Sequence, residues 1–149
     1  MASLKFETED SFIADLPNKR TLIVDDSEDA RLHLSFALLE LGISRVQQAA
    51  TVADAKALMA ESYKSGDPFY LVLCDHHMPG EEGDAFVRFI RNDPRFAGVS
   101  CIAVTSNSDR SLVINYLKAG ADSFIIKPAE KFDLATRIRA VWQKHGVIK

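Results

Sequence analysis

Phe69-Tyr-Leu-Val-Leu-Cys-Asp75-His-His-Met-Pro79 is the most informative stretch of this chain. Six uncharged residues rich in β-formers run into a carboxylate and then a Pro-Gly break, the pattern of a fully buried strand that ends at Asp75. Three other segments repeat the device. Thr21-Leu-Ile-Val24 runs into Asp25-Asp26, Ser100-Cys-Ile-Ala-Val104 into Thr105-Ser106, and Ser123-Phe-Ile-Ile126 into Lys127-Pro128. If the four strands are parallel, their C-terminal ends share one edge of a sheet, where open α/β proteins place their sites. Three carboxylates, a hydroxyl and an ammonium then meet.

The intervening segments read as helices. Ser27 is suited to cap one, with Glu28 and Asp29 in the first turn where the helix dipole favours acids. Ala30, Leu34, Ala37, Leu38 and Leu41 follow at helical spacing until Gly42 stops the run. A short strand is expected around Val46 to Ala50, and Thr51 with Asp54 resembles a capping box for the helix carrying Val52, Ala55, Leu58 and Met59. Phe86, Val87 and Ile90 mark a third helix, from Gly83 to Arg91. A fourth is predicted from about Ser108 to Lys118, and a fifth runs through Leu134, Ile138, Val141 and Trp142. Five strands alternating with five helices imply a parallel sheet covered on both faces, because parallel strands need crossover connections. No internal repeat or linker divides the chain, so residues 18–149 read as one domain behind an extension of residues 1–17. Phe12, Ile13 and Leu16 of that extension are expected to pack on the domain or on a neighbouring copy.

A chain of 149 residues with 47% hydrophobic and 26% charged residues can bury a proper core. No run approaches the length of a membrane span, and the acidic start lacks the apolar region of a secretory leader, which points to the cytoplasm. The net charge of −3 argues against direct nucleic-acid binding. Arg137, Arg139, Lys144, His145 and Lys149 gather late, where cations complement the dipole of a helix C-terminus. Cys74 and Cys101 have no CxxC spacing and read as reduced core residues.

Two carboxylates about 4 Å apart repel by roughly 4 kcal/mol at an effective dielectric of 20, so three in one cleft invite a cation. All-oxygen, partly hydrated coordination favours Mg²⁺, or Mn²⁺, over zinc. A carboxylate beside such a metal can attack phosphorus to give an acyl phosphate, whose oxygens then need an ammonium and a hydroxyl. Lys127 and Thr105 supply those groups. The turn Val24-Asp-Asp-Ser-Glu-Asp29 is acidic where a nucleotide fold would carry a Gly-rich phosphate loop, which speaks against nucleotide or flavin binding there.

Taken together, the acid pair Asp25-Asp26, the block Asp75-His-His-Met78-Pro79 with Gly83, the Thr105 hydroxyl and Lys127-Pro128 resemble, in order and spacing, the receiver domain of two-component response regulators. The likeness runs from about Arg20 to His145 and is greatest to the single-domain chemotaxis type. It implies a flavodoxin-like (βα)5 fold with strand order 2-1-3-4-5 and a cis bond before Pro128. It also implies Asp75 as phosphoacceptor, with Mg²⁺ held by Asp25, Asp26, Asp75 and the backbone carbonyl of His77. The phosphodonor implied is a histidine kinase or a histidine phosphotransfer protein. Phe124 falls where the family carries a switch aromatic, and Val113 and Leu117 join it on a partner surface of the fourth helix and fifth strand. The domain is expected to act as a monomer or weak homodimer, to touch neither membrane nor nucleic acid, and to pass its state to a downstream protein target.

His77 departs from the family's usual choice two residues after the phosphoacceptor and is expected to set phosphoryl lifetime by controlling water access. Its imidazole titrates in the physiological range, which would make decay pH-sensitive. Two other functions are set against the switch. An aspartate-nucleophile phosphohydrolase would want an acid where His77 stands, and a phosphorylation-independent interaction module has no need of the acid pair, Thr105 and Lys127.

Overall fold

The computed structural model describes residues 16–75, 83–106 and 110–149. Five parallel strands form one sheet: β1 (Thr21–Val24), β2 (Val46–Ala49), β3 (Leu71–Cys74), β4 (Ser100–Thr105) and β5 (Ser123–Ile126), in the order β2-β1-β3-β4-β5. Five helices connect them: α1 (Glu28–Glu40), α2 (Val52–Lys64), α3 (Gly83–Asn92), α4 (Arg110–Ala119) and α5 (Lys131–Lys144), with a 3-10 turn at Pro94–Phe96 after α3. This is the flavodoxin-like arrangement that the sequence resemblance implied. The expectations on His76, His77, Met78 and Pro79, on residues 1–15 and on the start of the fourth helix at Ser108 concern residues outside those described.

Local chemistry sets the helix ends. The Ser27 hydroxyl accepts from the Ala30 amide at 3.2 Å, and the Thr51 hydroxyl accepts from the Asp54 amide at 3.1 Å, so each satisfies a donor that the helix cannot. Gly42 follows the C-cap of α1 at φ +88°, a conformation costly for any residue with a Cβ.

Period-two alternation divides the strands between two faces. Ile23, Leu71, Leu73, Ile102, Val104 and Ile125 pack with Leu34 and Leu38 of α1 and Leu134, Ile138 and Trp142 of α5. Leu22, Val24, Val72, Cys74 and Cys101 pack with Val52, Ala55 and Met59 of α2 and Phe86 and Ile90 of α3. A smaller cluster of Val87, Ala103, Leu112 and Tyr116 seats α4. Both cysteines are buried, free thiols, as expected. Burial above all raises them: Cys101 is pushed up to about 12, and Cys74 well above the ordinary thiol value.

At the N-terminal edge of the sheet lies a cluster that composition alone did not announce. The Asp122 carboxylate is only 3% exposed. Its Oδ2 accepts from Arg91 Nη2 at 2.8 Å and from the Cys101 amide at 2.9 Å, while Oδ1 takes Lys144 Nζ at 2.7 Å and lies 3.0 Å from His145 Nε2. Lys144 and His145 therefore do more than complement the dipole of α5. Arg91 also donates to the carbonyls of Gly120 and Val99, both at 2.8 Å, which ties the end of α3 to the segments before β4 and β5. Gly120 leaves room for this, since a Cβ there would lie 2.4 Å from Arg91 Cγ.

Burial opposes ionisation of Asp122, but the hydrogen bonds from Lys144, Cys101 and His145 and the Arg91 charge outweigh it and hold its pKa below the usual carboxylate value. Because the folded value lies below the unfolded one, this stabilisation is present above about pH 4 and is lost as pH falls through the folded value. Asp122→Asn should cost about 3–5 kcal/mol near pH 7, the range for leaving buried charges unpaired, and the gap to the parent should narrow at pH 3. Urea denaturation of both proteins at the two pH values measures this.

Candidate functional site

Strand register carries the acids to one place. Val24 of β1 is paired with Cys74 of β3, so Asp25 and Asp75 leave neighbouring strands at the same level. Neighbouring strands lie about 4.8 Å apart, which fixes the spacing of the two carboxylates before any side chain chooses a rotamer. The ladder continues one step beyond each strand: the Asp75 amide donates to the Val24 carbonyl at 2.9 Å, and the Asp25 amide to the Ala49 carbonyl at 3.1 Å. On the far side, Thr105 ends β4 and is paired with Ile126, and the Lys127 amide donates to the Thr105 carbonyl at 2.7 Å. Four adjacent strands thus deliver Asp25, Asp75, Thr105 and Lys127 to one rim.

Burial differs sharply among these residues. Asp25 is 1% exposed, and Asp75 and Thr105 are also buried, whereas Asp26 faces solvent. Asp25 is held from several directions. Its Oδ1 accepts from the Ser27 amide at 2.9 Å, its carbonyl accepts from Arg31 Nη1 at 2.8 Å, and its Oδ2 receives Lys127 Nζ at 2.7 Å. The same ammonium lies 3.5 Å from Asp75 Oδ1. One carboxylate oxygen each from Asp25, Asp26 and Asp75 falls within 4.8 Å of the others. At that spacing each pair of charges repels by about 3–4 kcal/mol at an effective dielectric of 20. Lys127 offsets part of this load, and a hard divalent cation matches the remaining all-oxygen donor set by both charge and ligand type. Mg²⁺ fits, with Asp25, Asp26 and Asp75 as the described side chains that would hold it.

The peptide bond between Lys127 and Pro128 is cis, in agreement with the sequence expectation. Beside it a cavity of about 390 Å³ opens between α1 and the start of α5, lined by Asp29, His33, Leu34, Val104, Lys127 and Ala129 among others. His33 Nε2 lies 3.2 Å from the Ala129 carbonyl across it.

Gly83, the first residue of α3, matters for contact rather than for dihedral freedom. A Cβ there would lie 2.1 Å from the Asp75 carbonyl oxygen and 2.3 Å from the Tyr116 hydroxyl. Only glycine lets α3 begin against the backbone of the acid strand and the side of α4.

The proposed partner surface is placed as follows. Val113 and Phe124 are half-buried and Leu117 is 45% exposed, and Ile114 of α4 and Ile126 of β5 are also exposed. Phe124 packs against the Val87–Tyr116 cluster, and the Arg137 guanidinium lies over its ring at 5.6 Å. Sequence reading did not single out Arg31, although a basic residue one turn into a helix that starts at an acid pair is the type able to reach back to that turn.

A 2-1-3-4-5 sheet with an acid cluster and a paired lysine on its C-terminal rim has the build of a receiver domain. Residues 21–139 match the response regulator receiver domain, and the chain belongs to that family. It is similar to the probable chemotaxis protein CheY of Rhizobium etli, with 32% identity over 123 residues covering 83% of this chain and 92% of the relative. It is likewise similar to chemotaxis protein CheY-3 of Vibrio cholerae, at 28% identity over 127 residues, 85% of this chain and 94% of the relative. Among solved structures, a CheY-like response regulator receiver domain protein from Methanospirillum hungatei superposes with a TM-score of 0.71 at 29% identity, covering 88% of this chain and 98% of that one. The family is one of signalling switches rather than turnover enzymes, and among the described residues no helix is long and apolar enough to cross a membrane.

The packing at Gly83 yields a direct test. Gly83→Ala should destabilise the fold by about 1–3 kcal/mol, the usual cost of an inserted methyl group. Adding Tyr116→Phe should recover only a minor part, because the Asp75 carbonyl is backbone and cannot turn aside. Chemical denaturation of both variants measures the difference.

Proposed function

We propose that this domain is a phosphorylation-dependent switch in a two-component phosphorelay, with Asp75 as the phosphoacceptor. The observation that carries the reading is the place of Lys127 Nζ, 2.7 Å from Asp25 and 3.5 Å from Asp75, inside a trio of carboxylates. A partly buried ammonium shared by two acids is positioned to follow negative charge when it moves from one of them onto a phosphoryl group.

In this reading Asp75 attacks the phosphorus of a phosphohistidine on a histidine kinase or phosphotransfer protein. The new bond joins its carboxylate oxygen to phosphorus, and the bond to the imidazole nitrogen of the donor breaks. Mg²⁺, when bound, neutralises charge on the transferring group. Asp25, Asp26, Asp75 and the backbone carbonyl of His77 would hold that ion, Lys127 would stabilise the phosphoryl oxygens, and the Thr105 hydroxyl would donate to one of them. Hydrolysis of the acyl phosphate resets the domain, with the His77 side chain governing the approach of water. The altered state leaves through Val113, Leu117 and Phe124 to a downstream protein, in a cytoplasmic setting.

Intact mass after incubation with a small acyl phosphate and Mg²⁺ should show a single phosphoryl adduct, absent in Asp75→Asn and after chelation of the metal. No adduct in the parent protein would leave a phosphorylation-independent module as the reading. Steady phosphate release from many phosphoesters would indicate a hydrolase. His77→Ala should change the decay rate of the adduct severalfold and flatten its dependence on pH between 6 and 8, followed by the same mass measurement over time.

A further inference from the structure

Asp26 differs from the other two acids in what holds it. Asp25 is anchored through its carboxylate by the Ser27 amide and Lys127, and the Asp75 carboxylate lies 3.5 Å from the same ammonium. The Asp26 carboxylate faces solvent and makes no hydrogen bond or ion pair with any of the described residues, yet one of its oxygens sits within 4.8 Å of those of Asp25 and Asp75. An aspartate has few side-chain torsions, so the direction of an exposed one follows the peptide unit that carries it.

Both backbone groups of Asp25 are tied to the edge strand β2. Its amide donates to the Ala49 carbonyl at 3.1 Å, which continues the ladder. Its carbonyl, the oxygen of the peptide that leads into Asp26, accepts from Arg31 Nη1 at 2.8 Å. Arg31 is itself fixed: its Nε donates to Gln48 Oε1 at 3.1 Å, and Gln48 Nε2 donates to the Ser35 hydroxyl at 3.1 Å, one turn further along α1. Two donors of one planar guanidinium thus clamp the turn after β1 to Gln48, the residue before Ala49 in β2. A lysine ammonium on its flexible stem reaches one such acceptor without setting the angle between the two. The clamp also carries an electrostatic penalty. Arg31 brings a positive charge toward acids that invite a metal ion, and by Coulomb repulsion alone it would weaken metal binding.

We propose that Arg31 is a positioning residue for the metal site: by holding the Asp25 carbonyl against Gln48, it aims the otherwise unsupported Asp26 carboxylate into the trio. The inference rests on the reading that Asp25, Asp26 and Asp75 hold a divalent cation, and it adds the residue that orients the most exposed of the three. Groups that orient a ligand without touching the metal change affinity by about 10–100-fold when they are removed. The sign of the effect separates two roles. Deleting the charge of Arg31 tightens cation binding if Arg31 acts only through its field, and weakens it if Arg31 acts through the Asp25 carbonyl.

Mn²⁺ titrated into full-length protein, with the free ion followed by electron paramagnetic resonance, tests it. Arg31→Gln should weaken Mn²⁺ binding by on the order of tenfold, and Arg31→Lys should recover part of the loss. Gln48→Ala, a change at an exposed position that leaves every charge in place, should weaken binding severalfold. In the Arg31→Gln background it should add little, because both act through the same carbonyl. In metal-free protein the Ser27 amide should exchange with solvent severalfold faster in Arg31→Gln, while the amides of Leu71 to Cys74 keep their protection. Binding that is unchanged or tighter in Arg31→Gln overturns the role of Arg31 and leaves the metal reading intact. Absence of Mn²⁺ uptake by the parent protein overturns the metal reading, and this proposal with it.

Discussion

The contact between Lys127 and Asp25 is the constraint on which this molecule depends. It joins residues 102 positions apart and brings a cation onto a carboxylate that is 1% exposed. Removing charges from water costs several kcal/mol each, and their attraction repays this only when further hydrogen bonds complete the arrangement. The Ser27 amide to the Asp25 carboxylate and Arg31 to the Asp25 carbonyl supply them here. The pairing also requires β5 to run parallel to β1 with its C-terminal end at the same rim, so the chemistry and the sheet order specify each other.

That arrangement is more strained electrostatically than a fold alone would need. Replacing Asp25 and Asp75 by apolar residues of similar volume would remove the repulsion between them and the need for Lys127 together. A domain that retains both holds its charge for use, with the ammonium poised between two acids and one acid, Asp26, left open to solvent. Membership of the receiver family gives such a set of acids a signalling context.

Much of this was legible in the sequence because strand ends are marked twice, by an apolar run and by the polar residue that stops it. Phe69 to Cys74 reads as a buried strand that delivers Asp75 to an edge, and Leu71–Cys74 of it pairs in the sheet; the same logic located Asp25, Thr105 and Lys127. Helix caps at Ser27 and Thr51 were readable because a hydroxyl before an acidic first turn has a local cause. The Asp122 cluster was not readable. Arg91, Cys101, Lys144 and His145 come from four separate stretches, and only the closed sheet places them around one carboxylate. Gly83 was quoted for its place in a motif, but its reason, the Asp75 carbonyl and the Tyr116 hydroxyl crowding the missing Cβ, needs three elements in place. The exposure of Leu32, Phe36 and Leu39 on α1 escaped notice for the opposite reason: they sit among so many leucines that the pattern reads as core until burial separates the two sides.

The knot of ions around Asp122 lies at the edge of the sheet away from the acid rim. It immobilises the root of β4 and β5 through Arg91, which reaches both Val99 and Gly120, and through Lys144 at the tail of α5. The strands are therefore built like cantilevers, bolted at one end and loaded at the other. A change of charge at the tips meets a sheet whose opposite end is braced by Asp122 and its partners.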